Sequence, residues 1–298
     1  MQKKLKILAP VLLLAVVVMV GRWYLHGRTV AVLDPQGPVA YKERQLIIVT
    51  VLLALIVVLP VFTMLFAISW KYREGNKKAI YTPNWDHSRV AETVWWGVPT
   101  LLILIISIIT WNSSHQLDPF KSLASTTQPI TIQVVALDWK WLFIYPEQNI
   151  ASVNYVRFPK STPVNFEITS DATMNSFWVP RLGGQIYAMT GMSTQLHLMA
   201  DQTGKYNGSS ANISGAGFAG MKFTAEATSE SDFQEWVQNV QLSSQQLDQQ
   251  SYNKLARPSQ NNPSAYYALG DPALYTTIID KYMGPDLQML GMHGAELQ

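Results

Sequence analysis

Two apolar runs, residues 46–70 and 94–111, flank a short basic turn and constrain this chain more than any other feature. A bilayer's hydrocarbon core takes roughly 20 residues of helix, so the first run can cross with some tilt and the second is just sufficient. Pro60 and Pro99 fall inside the runs. There they kink a helix rather than end it, because neighbouring groups in a bundle satisfy the carbonyls they free. Trp70 and Tyr72 lie at the end of the first run and Trp95 and Trp96 open the second, which sets two aromatic belts at one interface, and Trp111 marks the other. The pattern predicts a transmembrane hairpin. Its turn carries Lys71, Arg73, Lys77, Lys78 and Arg89 against Glu74 and Asp86. The excess of cations places the turn in the cytoplasm and everything after Trp111 outside it.

The chain's 298 residues are 48% apolar and 14% charged, but that average hides a division, since nearly all the long apolar runs precede Trp111. A net charge of +2, with no basic run interleaved with aromatics in the polar half, excludes a nucleic-acid partner. Cysteine is absent, which excludes disulfides, thiolate metal sites, thiol catalysis and lipidation through cysteine. A further apolar stretch at 7–25 follows a basic start. Gly21-Arg22-Trp23-Tyr24 after it has no small-x-small cleavage pattern. An uncleaved anchor with its N-terminus inside and a cleaved signal both stand open, and either leaves the hairpin's orientation unchanged.

From Thr131 the hydrophobic period becomes two. Ile130, Ile132, Val134 and Ala136 share one phase, as do Trp139, Trp141, Phe143 and Tyr145. Val164, Phe166 and Ile168 repeat the alternation, then Leu196 and Leu198, then Met221, Phe223 and Ala225. Short strands punctuated by Gly and Pro predict an antiparallel sandwich or barrel. Near Ser229 the period turns helical, with Phe233, Trp236, Val237 and Val240 on one face and Ser229 or Ser231 as N-cap. A polar, glutamine-rich section follows, and Asp271-Pro272 offers one more helix start, with Asp271 as cap. The last fifteen residues read as loose.

The stretch SGAGFAGMKF, residues 214–223, has three glycines in seven residues, a loop able to wrap something small. Yet it offers no cysteine, histidine or acid. In this order, VAETVWWGVPTLLI, DWKWLFIYPE, MNSFWVPRLGGQIYAMTGM and this loop resemble subunit II of the haem-copper terminal oxidases over residues 40–283. The resemblance implies a membrane α-helical hairpin, with an N-terminal helix before it, then an all-β cupredoxin-like sandwich and a small helical C-terminal extension. The corresponding divisions are 1–44, 45–113, 114–228 and 229–298.

In the family's cytochrome c oxidase members, the loop and the sandwich centre hold a dinuclear copper through cysteines, histidines, a methionine and a backbone carbonyl. Carried across, the side-chain ligands fall on Asn175, Ser214, Phe218, Lys222 and Ala225, none of them a competent copper ligand. Phe218 is expected to fill the metal's space by apolar packing. The missing ligands, with the aromatic-rich segment after Phe233, point to the quinol oxidase branch, of the cytochrome bo type. They also argue against a cytochrome c oxidase subunit with an altered copper site.

That branch implies no cofactor in this chain, haems and copper in a partner subunit I, and ubiquinol delivering electrons directly to that subunit. The implied partners are subunit I, other oxidase subunits and membrane lipid. The implied location is a bacterial inner membrane, with several spans and the sandwich on the periplasmic side. In the family the glutamate at the position of Glu92 sits at the mouth of a proton pathway, which makes Glu92 the candidate proton entry. An acid in a helix's first turn is also favoured by the macrodipole alone. His197, a strand histidine near Met189, Met192 and Met199, reads as packing or surface. A membrane-tethered cupredoxin-like binding protein is the alternative from another class.

Overall fold

The structure, a computed structural model, describes residues 30–80, 82 and 87–283, together with 16, 19–21 and 23. Apart from those five isolated positions, the 7–25 stretch falls outside the described residues, and so do the last fifteen.

Helix α1, Pro38–Lys71, has 34 residues and helix α2, Arg89–Gln116, has 28. At 1.5 Å per residue they measure about 51 and 42 Å, well beyond a hydrocarbon core of about 30 Å. Pro60 and Pro99 lie within them without ending either. The apolar side chains along both, Leu52, Phe66, Leu101 and Ile103 among them, face outward, as do Trp70, Trp95, Trp96 and Trp111. Such surfaces suit lipid or a neighbouring protein, not water.

Twelve strands follow among the described residues, in two sheets. The first is built on β1 (Ile130–Leu137), β2 (Lys140–Tyr145), β3 (Ile150–Val153), β5 (Val164–Ser170) and β8 (Thr194–Leu198). The second orders β4 (Tyr155–Pro159), β10 (Lys222–Thr228), β9 (Gly204–Ser210), β6 (Asn175–Trp178) and β7 (Ile186–Ala188). The run that reads as one alternating stretch from Ile130 to Tyr145 is a hairpin, with Leu137 paired to Lys140 across a two-residue turn. Ile132, Val134 and Ala136 of β1 and Trp141, Phe143 and Tyr145 of β2 face the second sheet and form the main core with Phe177 and Phe223. Phe177 and Phe223 stack there, with ring centroids 5.0 Å apart.

The opposite face of the first sheet is buried as well. Val135, Leu137, Leu142 and Ile144 pack against Leu247, Tyr252 and Leu274, which form a second core with the C-terminal extension. The extension comprises α3 (Glu230–Gln241), β11 (Gln246–Leu247), α4 (Gln249–Leu255), β12 (Ala265–Leu269) and α5 (Leu274–Asp280). It is helical as expected, and it also lengthens the first sheet to seven strands, in the order β11-β12-β3-β2-β1-β5-β8. Covering β3 this way removes an exposed sheet edge. Ser229 caps α3 by accepting from the Asp232 N–H. Asp271 instead accepts from the Ala273 N–H in the turn before α5, which begins two residues later than Asp271-Pro272 suggests.

The entry to α1 is sewn to the sandwich. Arg181 and Asp34 pair at 2.6 Å, the Gln36 N–H donates to Arg181 O at 2.7 Å, and the Ala40 N–H donates to Leu182 O at 3.2 Å. Gly37 makes this approach possible, since a Cβ there would lie 2.2 Å from Met199 O. The hairpin and the sandwich therefore share a fixed joint.

Candidate functional site

Residues 211–221 link β9 to β10 and contain a single turn of 3-10 helix at Phe218–Gly220. Gly215, at φ +111, adopts a conformation that L side chains rarely take. The loop wraps Trp139. The indole Nε1–H donates to Ser214 O at 3.1 Å, and a Cβ on Gly217 would lie 2.3 Å from the Trp139 ring. These glycines are small because an indole lies against them.

Trp139 itself occupies the tight turn between β1 and β2 at φ 63, a left-handed conformation unusual for a bulky residue. The strand period places it in phase with Trp141 but gives no sign of that turn. Phe218 does not take the role expected of it. It is partly exposed on the loop and stands outside the core, because the space beneath is filled by Trp139 and by the cluster of Trp141, Phe177 and Phe223.

The other positions carried across from the copper ligands are equally unsuited to a metal. Asn175 is buried, with its Nδ2 donating to Thr173 O at 2.6 Å and its Oδ1 accepting from Ser210 Oγ at 3.0 Å. Ala225 is a fully buried core methyl, and Lys222 presents an exposed ammonium that would repel a cation. A bridged copper pair needs soft thiolates, and this set supplies an amide, a hydroxyl, a phenyl ring, an amine and a methyl. The residues do not fit the metal.

At the other end of the chain's fold, Glu92 lies in the first turn of α2. Ser88 Oγ accepts the Ala91 N–H at 3.3 Å, and the Ser88 N–H reaches Glu92 Oε1 at 3.4 Å, a reciprocal cap at the helix start. His87 Nδ1 stands 3.7 Å from the same oxygen, and the Glu92 side chain is 43% exposed. The carboxylate is thus both a capping group and open to solvent at the mouth of the hairpin. His197, on β8, pairs its Nδ1 with Pro119 O at 3.0 Å, a packing role consistent with its sequence setting.

A subunit 2 of cytochrome bo(3) ubiquinol oxidase from Pseudomonas putida is 52% identical over 264 residues, 89% of this chain and 84% of the relative. The chain belongs to the ubiquinol oxidase subunit 2 family. A ubiquinol oxidase subunit 2 from Acetobacter aceti is also 52% identical, over 87% of this chain and 84% of its own length. A quinol oxidase subunit 2 from Bacillus cereus is 38% identical over 78% of this chain and 80% of its own. The family described as the periplasmic domain of cytochrome c oxidase subunit II matches residues 147–228, which makes the sandwich cupredoxin-like. The COX aromatic rich motif matches residues 241–286.

That motif has a clear physical sense in this ubiquinol oxidase subunit. Tyr252 and Tyr282 each donate to the buried carboxylate of Asp171 at 2.5 Å, and Lys281 meets it at 2.6 Å. Tyr275 shares a hydrogen bond with Ser193 at 2.8 Å. Burial, and then the bond to Asp171, push the Tyr252 hydroxyl far above the ordinary tyrosine range, so it remains a donor. Trp236 of α3 packs edge-on against Tyr145, Tyr155 and Tyr266 at 5.5 to 6.2 Å. The aromatic residues clamp the extension to the sandwich, and nothing in the local pattern around Asp171 or Ser193 marks either as a receiver.

Proposed function

We propose that this chain is the non-haem subunit II of a proton-translocating ubiquinol oxidase in a bacterial inner membrane. Its turn at 71–88 faces the cytoplasm and its sandwich the periplasm. In this reading ubiquinol is oxidised, and dioxygen reduced to water, at the haems and copper of a partner subunit I, which this chain braces from the periplasmic side. The observation that carries it is the donor set at Asn175, Ser214, Phe218, Lys222 and Ala225. A subunit so built offers no copper relay for electrons from cytochrome c, whereas a quinol dissolved in the bilayer needs none. The fixed joint between α1 and the sandwich, and the outward apolar faces of both spans, suit a brace on a larger membrane partner.

Purification in mild detergent tests the reading. A haem-bearing large subunit is expected to co-purify in stoichiometric amount. A chain that emerges alone and haem-free would instead be a tethered binding domain.

Glu92 is the one side chain we assign a direct part, as a cytoplasmic acceptor feeding protons toward subunit I. Its exposure at the hairpin mouth supports this, while its capping bonds to Ser88 supply a purely structural reason for an acid there. Glu92→Gln keeps the cap's acceptor oxygen and removes the proton-binding group. Quinol-driven oxygen uptake of the assembled complex is therefore expected to drop about tenfold or more, on the scale of a lost acid–base group. Unchanged turnover would leave Glu92 as a helix cap only.

A further inference from the structure

A cavity of about 360 Å³ lies at the joint between the hairpin and the sandwich. Its walls come from the first turns of α1, the last residue of α2, the segment after it, and the sandwich near Gly184 and His197. Four formally charged side chains line it: Lys42 and Lys121 on the basic side, Glu43 and Asp118 on the acidic. Leu117, Leu123 and Leu196 contribute apolar wall.

Depth narrows what such a cavity can hold. Lys42 and Glu43 precede the apolar run at Leu46 by four and three residues, about 6 and 4.5 Å along the helix. Gln116 follows Trp111, the end of the other run, by five residues, about 7.5 Å. A bilayer's polar layer extends about 5–7.5 Å beyond the hydrocarbon on each side. The cavity therefore opens in the headgroup layer of the leaflet on the sandwich side.

The charges narrow it further. Asp118 is held in place, its Oδ1 accepting the Phe120 N–H at 3.0 Å, and the Glu43 carboxylate lies against Gly184. A Cβ on Gly184 would lie 2.8 Å from Glu43 Oε1, so the glycine leaves room for the carboxylate. His197 gives its Nδ1 proton to Pro119 O at 3.0 Å, since a carbonyl can only accept, which fixes the ring against the segment after α2. Among the described residues neither Lys42 nor Lys121 has an ion-pair partner. Two unpaired bases and two acids sum formally to zero, which disfavours an anionic lipid and leaves both ends of a dipolar headgroup with a counter-charge. The uncharged ring of a quinol would use none of them.

We propose that this cavity binds the headgroup of a zwitterionic phospholipid, its phosphate on Lys42 and Lys121 and its ammonium on Glu43 and Asp118. The lipid then wedges the joint, and its acyl chains run down beside α1 and α2.

The test uses membranes containing the full chain with its partner, loaded with phosphatidylethanolamine bearing a photoactivatable headgroup. Peptides spanning residues 116–124 are expected to be labelled at least fivefold more than with phosphatidylglycerol carrying the same probe. The double variant Lys42→Gln, Lys121→Gln is expected to lose that label at least fivefold, with the complex still assembled. Equal labelling by both lipids would overturn the proposal, and so would label confined to the apolar runs. Abolition of the label by soluble phosphoethanolamine at millimolar concentration would also overturn it, in favour of a small free ligand. The comparison of the two lipids needs only the unaltered protein, so it decides even if the double variant fails to assemble.

Discussion

Lys140→Ala is expected to free the C-terminal extension from the sandwich and to lower stability by about 3–5 kcal/mol. The lysine opens β2 with only 1% of its surface exposed, and all three of its ammonium protons are used. They go to Leu255 O at 2.8 Å, Arg257 O at 2.7 Å and Ser259 Oγ at 2.5 Å, at the last residue of α4 and in the segment that follows it. Truncation strands those acceptors under the extension, at about 1–3 kcal/mol for each one left buried, and removes the stem that fills the gap. Lys140→Met, which keeps the stem and loses the bonds, is expected to fall between wild type and alanine. Thermal unfolding in detergent should register a shift of about 10 °C for alanine. Limited proteolysis should cut first within residues 246–283. A shift under about 2 °C with an uncut extension would show that the tyrosine clamp at Asp171 suffices alone.

Reduced cytochrome c, offered as sole electron donor to the isolated complex, is expected to support no oxygen uptake above background, while ubiquinol supports full turnover. In the family's cytochrome c branch, electrons enter through a copper pair that the corresponding loop holds. Here the loop closes on an indole. Gly215 and Gly217 lie against Trp139, Ser214 presents its carbonyl to the ring, and Lys222 puts an ammonium where a ligand would need a lone pair. A single substitution cannot repair this, since a soft bridging pair needs several donors at once. Uptake with cytochrome c within tenfold of the ubiquinol rate would require another entry for electrons and would overturn the reading of this subunit. Copper added to the chain is likewise expected to bind without stoichiometry.

Much of the architecture is legible in residues 38–116, because a helix that must satisfy its own backbone in lipid writes its length directly into a run of apolar residues. The sandwich is legible for a related reason. A strand's side chains alternate, so Val164, Phe166 and Ile168 announce a buried face wherever their partners lie. The same logic misleads at Trp139, whose phase matches Trp141 although the chain turns between β1 and β2 at that point. Phe218 misleads in the opposite way. Its position in the loop suggests a plug, but which ring fills the space depends on a residue 75 positions from Ser214.

Two long apolar helices, the buried faces of the strands and the residue types at the positions carried across from the copper ligands were all readable from residue type or short period. Tertiary structure alone decided that Trp139 fills the loop, that Lys140 is buried, and that the extension adds strands to the sheet. The physical reason is range. Lys140 finds its acceptors 115 to 119 residues away, and such a bond depends on how two distant segments dock, which leaves no period and no composition for a reader to follow.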